Sequence, residues 1–335
     1  MSADIAALVL GCEATVLTAA ERDFFRDANP FGFILFRRNV DSPEQVRALV
    51  ASLRECVGRQ APVLIDQEGG RVARLRGPHW PELPAARAVG GLTDPEKAAR
   101  AAWLHGRLLA AMLADLGIDV DCAPVADVPV PGAHDVIGDR AFAMDPGAVT
   151  SLAAAQAAGL LAGGILPVVK HIPGHGRAFA DSHKELPVVT TARAELETWD
   201  FAPFKALAQL PAAMVAHVVY SDIDPDRPSS ISPTVIGDIV RGHIGFDGLL
   251  FSDDLSMQAL SGTLGQRTAA VLAAGCDVAL HCNGQMAEMQ DVVRHARPLD
   301  ADGHRRWSAA SDLVAPAPPT DIHSLRAEFD RLLAG

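Results

Sequence analysis

Eight short apolar runs, each followed by a longer pattern typical of an amphipathic helix, limit the possible folds of this chain more than any other feature. Runs that are apolar throughout suit parallel strands buried on both faces, and their alternation with helices suits βαβ units. Eight such units predict an α/β protein built as a (β/α)8 barrel. The predicted strands are Ala6–Leu10, Phe31–Phe36, Pro62–Ile65, Ile118–Val125, Ile165–Val169, Ala213–Val219, Gly248–Phe251 and Cys276–Leu280.

Capping residues mark the starts of several helices between these runs. Thr18 and Glu21 have the spacing of a capping box, and Ser42, Asp94 and Asp145 each stand directly before a proline that suits the first helical position. These signals support the barrel because they place helices after strands. The predicted helices are Ala19–Asp27, Pro43–Val57, Pro95–Leu116, Pro146–Ala162, Ala192–Leu210, Thr234–Arg241, Gly265–Ala274 and Gln285–His295.

Two further helical patterns, Gly303–Leu313 and Asp321–Leu333, follow the last barrel unit. They are too short to form a second domain, so we expect them to pack against the barrel. The sequence therefore predicts a single domain over 1–335, with a barrel core at about 5–297 and a C-terminal helical extension at about 303–334.

Charge and cysteine content exclude several classes of partner. The net charge is −12 and no run of lysine and arginine occurs, which argues against nucleic-acid binding. The five cysteines are scattered without a C-x-x-C pair, so neither a disulfide framework nor a thiolate zinc site is expected. No apolar window reaches the length of a membrane span, and the N-terminus lacks a basic segment. These features predict a cytoplasmic protein that binds neither nucleic acid nor membrane.

Polar and charged residues follow several of the predicted strands. Asp66 follows the third run, Lys170 and His171 follow the fifth, His217 lies in the sixth, and Asp253 comes shortly after the seventh. The carboxyl ends of barrel strands meet on one rim, where the chemistry of such barrels occurs. Since isolated charges are costly to bury, their convergence predicts a functional site.

Some nearby residues have a simpler structural interpretation. Asp254 is expected to cap the following turn, and Glu68, Gly69 and Gly70 suggest loop geometry more than chemistry. His217 is explained about equally well as a hydrogen-bonded interior histidine and as a site residue.

The segment KHIPGHGRAFADSH, residues 170–183, contains the densest group of ionisable side chains. Its glycines and proline predict a turn, and Asp181 stands close enough to His183 to fix the tautomer of the imidazole for proton transfer. An H-x-H pair after the first strand, an H-E-x-x-H helix and a P-loop ending are all missing from the sequence. An acid/base loop is therefore favoured, with neither metal nor cofactor expected, although a metal-dependent barrel hydrolase remains an alternative.

Four segments together resemble the signatures of glycoside hydrolase family 3. They are most similar to the single-domain β-N-acetylglucosaminidases of bacterial peptidoglycan recycling, and they occur in the order found in that family. The segments are LIDQEGGRVARL (64–75), VIGDRAF (136–142), KHIPGHGRAFADSH (170–183) and GLLFSDDLSM (248–257).

The resemblance implies a role for particular residues. Asp253 matches the nucleophile of the family, His183 its general acid/base, and Asp181 the partner of that histidine. Gln67 and Ile172 depart from the residues common in the family, histidine and phenylalanine, which leaves the shape of the pocket open. The positions that match sugar-binding residues are Asp66, Arg74, Arg140, Lys170 and His171.

By the same resemblance, the activity would be a retaining exo-β-N-acetylglucosaminidase acting on muropeptides that carry GlcNAc, with a monomer as the expected state. A histidine, unlike a carboxylate, does not repel an anionic acceptor. A phosphorylase that uses phosphate instead of water is therefore a second candidate activity. A catalytically silent sugar-binding protein is a third, but such a protein needs no nucleophile.

Overall fold

A closed barrel of eight parallel strands forms the centre of the computed structural model, which describes residues 4–182, 185–315 and 321–334. Each strand pairs with its neighbour in sequence, and the last closes the barrel on the first, with Ala279 opposite Leu8. The predicted (β/α)8 barrel is confirmed. The strands are β1 (Ala6–Gly11), β2 (Pro30–Leu35), β3 (Val63–Ile65), β4 (Val120–Asp121), β5 (Leu166–Ile172), β6 (Ala212–Val215), β7 (Leu249–Asp254) and β8 (Val278–His281).

Helices surround the barrel, and the predicted caps are present. Thr18 and Glu21 form a reciprocal capping box, while the side chains of Ser42, Asp94 and Asp145 each accept a hydrogen bond from a backbone N–H of the first turn. Within the described residues, no helix is both long and apolar enough to cross a membrane. The α-helices are Ala19–Ala28, Pro43–Val57, Ala86–Gly90, Pro95–Ala114, Pro146–Ala162, Arg193–Thr198, Ala202–Ala206, Leu264–Ala274, Met286–Arg294, Ala301–Asp312 and Ile322–Ala334, and a wider π-type helix spans Val235–His243.

Two predicted strands are shorter in the structure than in the sequence pattern. β4 is a regular strand only over Val120–Asp121, and an isolated parallel bridge between Val125 and Lys170 follows. Pro124, which has no N–H to donate to a ladder, lies in the interruption. β6 ends at Val215, and Val219–Tyr220 instead pairs with Val188–Val189 in a separate two-stranded parallel sheet. The apolar run alone did not show where the chain leaves the barrel.

The helix predicted over Ala192–Leu210 is wrong as one element. It is broken into Arg193–Thr198 and Ala202–Ala206. Pro203 lies in the first turn of the second piece, and a proline there has no N–H for the preceding turn and disfavours a helical conformation just before it. Asp200 lies in the break and is buried, with 2% of its surface exposed.

The two longest helices, Pro95–Ala114 and Pro146–Ala162, approach each other unusually closely. A Cβ added at Gly106 would lie 2.2 Å from the carbonyl oxygen of Gln156, and one at Gly159 would lie 2.1 Å from that of Trp103. Only glycine permits this approach, so these two positions set the spacing of the helices behind β4 and β5.

The C-terminal helices pack against the outside of the barrel. Trp307 of Ala301–Asp312 stacks edge-on against Phe31 of β2, with the ring centroids 4.9 Å apart. In Ile322–Ala334, Phe329 is fully buried and Glu328 accepts two hydrogen bonds from Arg100, at 2.7 and 2.9 Å. Trp307 therefore covers an apolar position of the barrel, while Phe329 packs on helix Pro95–Ala114, where its ring centroid lies 5.8 Å from that of His105.

Candidate active site

A pocket of about 230 Å³ opens at the carboxyl ends of the barrel strands. It combines ionisable side chains with apolar walls that include Phe36 and Met257, as ligand sites commonly do. The residues assigned to the site from the sequence that line this pocket are Asp66, Arg74, Arg140, Lys170, His171 and Asp253.

One side of the pocket is a closed cluster of ion pairs. The Nζ of Lys170 lies 2.7 Å from both Asp66 Oδ1 and Glu68 Oε1. Arg140 donates two hydrogen bonds to Glu68, at 2.8 and 2.9 Å, and Arg74 donates one to Asp66, at 3.0 Å. Each buried charge thus faces at least one opposite charge, which is the condition for keeping such groups ionised away from water.

The pKa values of the cluster follow from this pairing. Burial by itself would raise the pKa of Asp66 and Glu68, but Lys170 and the two arginines reverse this, holding the pKa of Asp66 well below its usual range and lowering that of Glu68 to about 2. For Lys170, burial would lower the pKa, yet the two carboxylates raise it. The cluster therefore stays fully ionised at neutral pH and can present fixed donors and acceptors to a polar ligand.

The role of Glu68 was missed from the sequence, where it was assigned to loop geometry. Glu68 lies in an antiparallel hairpin formed by Gln67–Gly69 and Val72–Ala73. Gly69 and Gly70 have positive φ angles, 91° and 57°, at the turn of this hairpin. Gln67 supports the same hairpin, because its Oε1 accepts hydrogen bonds from the backbone N–H groups of Arg74 and Leu75. The departure from the family at Gln67 thus affects the hairpin and not the pocket wall.

A second residue that the sequence reasoning missed is Asp127, which is fully buried behind His171. Its Oδ2 lies 2.7 Å from Nδ1 of His171, and its Oδ1 accepts hydrogen bonds from the backbone N–H groups of His171 and His175. A carboxylate can only accept, so Nδ1 of His171 carries the hydrogen and Nε2 is left for a ligand. Its position shortly after the fourth predicted strand, Ile118–Val125, was the sequence signal that could have marked Asp127 as a site residue.

Asp253 lies in β7 on the wall of the pocket, where its Oδ1 accepts a hydrogen bond from the N–H of Asp254 at 2.8 Å. The Asp254 carboxylate accepts from the backbone N–H groups of Ser256 and Cys282, each at 3.1 Å, so it organises the turn, as expected. His217 is fully buried, and its ring nitrogens lie 2.6 Å from Ser230 Oγ and 3.1 Å from the carbonyl oxygen of Asp254. It is an interior histidine.

Of the acid/base pair predicted in the loop after β5, Asp181 lies among the described residues. Ser182 lines the pocket and is hydrogen-bonded to Nε2 of His175 at 3.0 Å. Asp181 lines an adjoining cleft of about 280 Å³, which shares Arg140 with the pocket. His183, the predicted acid/base residue, lies outside the described residues, so its assignment remains a prediction.

Comparison with known proteins identifies the family. The model for the glycosyl hydrolase family 3 N-terminal domain matches residues 13–303. The chain belongs to glycosyl hydrolase family 3. It is 43% identical over 296 residues to a β-hexosaminidase of Alkalilimnicola ehrlichii, covering 86% of this chain and 83% of the relative. A β-hexosaminidase of Pseudomonas aeruginosa is 41% identical over 279 residues, with 82% of each chain covered.

Solved structures of the same family superpose closely. NagZ from Neisseria gonorrhoeae in complex with N-trifluoroacetyl-D-glucosamine has a TM-score of 0.84 and 33% identity, covering 99% of this chain and 97% of that one. The same protein in complex with a zinc ion has a TM-score of 0.84 and 32% identity, over the same shares of the two chains. The predicted family and barrel are therefore confirmed, and the chain is a glycoside hydrolase.

The zinc ion in the gonococcal NagZ structure makes metal-binding groups relevant to this chain as well. Among residues 4–182, 185–315 and 321–334, no group of three or more histidine, cysteine, aspartate or glutamate side chains is arranged to hold a metal ion. The carboxylates that face the pocket are instead paired with Lys170, Arg74 and Arg140.

Proposed function

We propose that the protein is a retaining exo-β-N-acetylglucosaminidase that removes terminal, non-reducing β-linked GlcNAc. The observation that carries this proposal is the position of Asp253 in the pocket, together with the ionised cluster around Lys170. A carboxylate on the pocket wall and a separate set of fixed polar groups for the sugar are what such a reaction needs. The β-hexosaminidase relatives, and the glucosamine derivative bound by the gonococcal NagZ, support the N-acetylated sugar.

In the first step, a carboxylate oxygen of Asp253 bonds to the anomeric carbon as the glycosidic C–O bond breaks. His183, as imidazolium, gives its proton to the departing oxygen, which leaves as a neutral alcohol. In the second step, neutral His183 takes a proton from water, the water oxygen bonds to the anomeric carbon, and the carboxylate of Asp253 is released. Two displacements restore the original β configuration.

Asp181 is proposed to accept a hydrogen bond from His183 and so to hold the imidazole in one tautomer. A histidine titrates near pH 6.5, so it can donate and accept protons close to neutrality without a large pKa shift. A carboxylic acid in the same role would need a strongly raised pKa.

The ion-pair cluster is proposed to orient the sugar ring. Asp66, Lys170 and His171 present acceptors and donors on one wall of the pocket, and Arg74 and Arg140 complete the cluster. Because these groups are already paired with one another, they do not need to reorganise when a sugar displaces water. Binding energy can then be used to align the anomeric carbon with Asp253.

For the natural substrate, we propose peptidoglycan fragments that carry GlcNAc, hydrolysed in the cytoplasm by a monomer. The family resemblance supports the substrate class. The five cysteines are free thiols, and four of them are buried, as is common in proteins of reducing compartments.

The experiment that tests the activity compares 4-nitrophenyl β-N-acetylglucosaminide with the matching β-glucoside, with a chelator present and phosphate absent. We expect nitrophenol release from the N-acetyl substrate alone, because the relatives are hexosaminidases and the proposed chemistry needs no metal ion. Phosphate is then added in a parallel reaction, and the sugar products are separated and identified.

Two results would count against the proposal. Activity that disappears with the chelator and returns with zinc would favour a metal-dependent hydrolase. Formation of GlcNAc-1-phosphate well above the rate of hydrolysis would show that phosphate is the preferred acceptor and that the enzyme is a phosphorylase.

A further inference from the structure

Arg177, at the start of the loop after β5, forms an ion pair that lies outside the pocket. Its Nε donates to Oδ2 of Asp200 at 2.6 Å, and its NH1 lies 2.8 Å from Oε1 of Glu195. Asp200 is almost fully buried, with 2% of its side chain exposed, and Arg177 is 14% exposed. Neither residue lines the pocket, and the reaction described above does not use them.

The break between helices Arg193–Thr198 and Ala202–Ala206 places Asp200 against the loop. A Cβ added at Gly174, whose φ is +152°, would lie 3.1 Å from the carbonyl oxygen of Asp200. The carbonyl oxygen of Gly174 also accepts a hydrogen bond from the hydroxyl of Tyr220. The start of the loop is therefore packed directly against the turn that carries Asp200.

From Arg177 the chain needs only a few residues to reach the site. The carbonyl oxygen of Ala178 accepts from the N–H of His134 at 2.9 Å, Phe179 is 66% exposed, and Asp181 and Ser182 follow. The carbonyl oxygen of Ser182 accepts from the N–H of Ala259 at 3.2 Å. The loop is thus held at both of its ends, and Arg177 provides the ion pair at the first.

We propose that Arg177 and Asp200 are positioning residues whose ion pair holds the loop segment 177–182 so that Asp181 and Ser182 stand beside the pocket. The inference rests on the proposed function, since it concerns the efficiency of the acid/base step. According to this inference, efficient proton transfer requires an ion pair outside the pocket in addition to the reacting groups. We call this ion pair between Arg177 and Asp200 the anchor.

The charges around Asp200 give this anchor a pH dependence. Burial raises the pKa of Asp200 to about 6, Arg177 opposes that rise and Asp127 adds to it. Glu195 also faces the guanidinium of Arg177, while burial raises the pKa of Tyr220 far above its usual value, so this tyrosine stays neutral. Because the raised pKa belongs to a carboxyl group, Asp200 is charged above about pH 6 and neutral below it. The anchor should therefore hold above that pH and weaken below it.

The test uses the full chain as wild type and as Arg177→Met, Arg177→Lys and Asp200→Asn. Arg193→Gln, which removes an exposed ion pair with Glu197 at 2.7 Å, is the matched control. Two glycosides of GlcNAc are compared, with 4-nitrophenol and 2,4-dinitrophenol as leaving groups. The better leaving group needs little help from an acid, so it reports on binding and nucleophilic attack without the proton transfer.

We expect Arg177→Met to lower kcat/KM for the 4-nitrophenyl substrate about 10- to 100-fold and to affect the dinitrophenyl substrate far less, since general acid catalysis contributes about 10²- to 10⁴-fold. Arg177→Lys should recover part of the loss because the charge is kept. Asp200→Asn should differ from wild type most at about pH 7.5 and least at about pH 5, where Asp200 itself becomes neutral. Arg193→Gln should behave as wild type.

Hydrogen exchange of the amides of residues 178–182, measured at one fixed pH, tests the anchor without turnover. Faster exchange in Arg177→Met and Asp200→Asn than in wild type is the expected result. Equal exchange in all the proteins, or equal losses of kcat/KM on both glycosides, would overturn the inference. If wild type cleaved neither glycoside, the proposed function would fail while the exchange result would still decide whether the anchor exists.

Discussion

Replacing Asp253 by alanine should lower kcat on the 4-nitrophenyl β-N-acetylglucosaminide by at least about 10⁴-fold, since removing the nucleophile of a covalent mechanism typically costs about 10⁴- to 10⁶-fold. The variant should remain folded, because the side chain of Asp253 is only partly buried in β7 and one hydrogen bond that it accepts comes from the N–H of its neighbour Asp254. The measurement is steady-state kinetics together with the unfolding temperature of each protein.

Azide provides the control for this prediction. A small anion can occupy the space that alanine leaves and attack the anomeric carbon directly, in a single displacement. We therefore expect added azide to restore part of the turnover of Asp253→Ala and to give the α-glycosyl azide. Turnover within tenfold of wild type without azide would rule out the proposed role of Asp253.

Replacing Lys170 by methionine should cost about 3–5 kcal/mol of unfolding free energy, which is typical for removing one partner of a buried ion pair. The Nζ of Lys170 is the group shared by Asp66 and Glu68, at 2.7 Å from each, and 2% of the side chain is exposed. Without it the two carboxylates lie buried with only Arg74 and Arg140 to balance them. Urea unfolding of the two proteins measures the loss.

Two further variants make this prediction specific. Glu68→Gln in the Lys170→Met background should lower the stability further, because Arg140, which donates two hydrogen bonds to Glu68 at 2.8 and 2.9 Å, then loses the carboxylate that it pairs with. Arg26→Met breaks a pair with Asp23 that is equally short, 2.6 Å, but lies in solvent, and should leave stability unchanged. If Lys170→Met unfolded at the same urea concentration as wild type, the cluster could not contribute as described.

The barrel could be predicted because its signals are local. The apolar run that forms β2 is buried at every position of Pro30–Leu35, and Thr18 and Glu21 cap a helix through contacts within its own first turn. The ends of strands were harder to predict, since the separation of Val219 from β6 depends on pairing with Val188, about thirty residues away in the chain.

The pocket could be predicted in part for a related reason. Asp66 and Lys170 follow apolar runs directly and Asp253 follows one after a single serine, and the geometry of a barrel then brings them to one rim. Glu68 was harder to interpret because its role depends on a hairpin that turns it toward Arg140, which is 72 residues away. Local spacing cannot show such a contact.

The anchor on the loop was equally inaccessible from the sequence. The sequence pattern predicts one helix from Ala192 to Leu210, with Asp200 inside it. In the structure the helix is broken before Pro203, and this break lets the carboxylate of Asp200 contact Arg177. The helical periodicity was therefore right over the two short pieces and wrong at the residue that contacts the loop.

The central claim is that Asp253 becomes covalently linked to the sugar, and a slow substrate tests it most directly. In a 5-fluoro-β-glycosyl fluoride of GlcNAc, the ring fluorine slows both displacements, while the fluoride leaving group speeds the first, so the glycosyl-enzyme should accumulate. Mass spectrometry of the protein and its peptic peptides should then locate one added sugar on Asp253, in the peptide from the 248–257 segment. A label on another residue, or an unlabelled protein that still turns the reagent over, would contradict the claim.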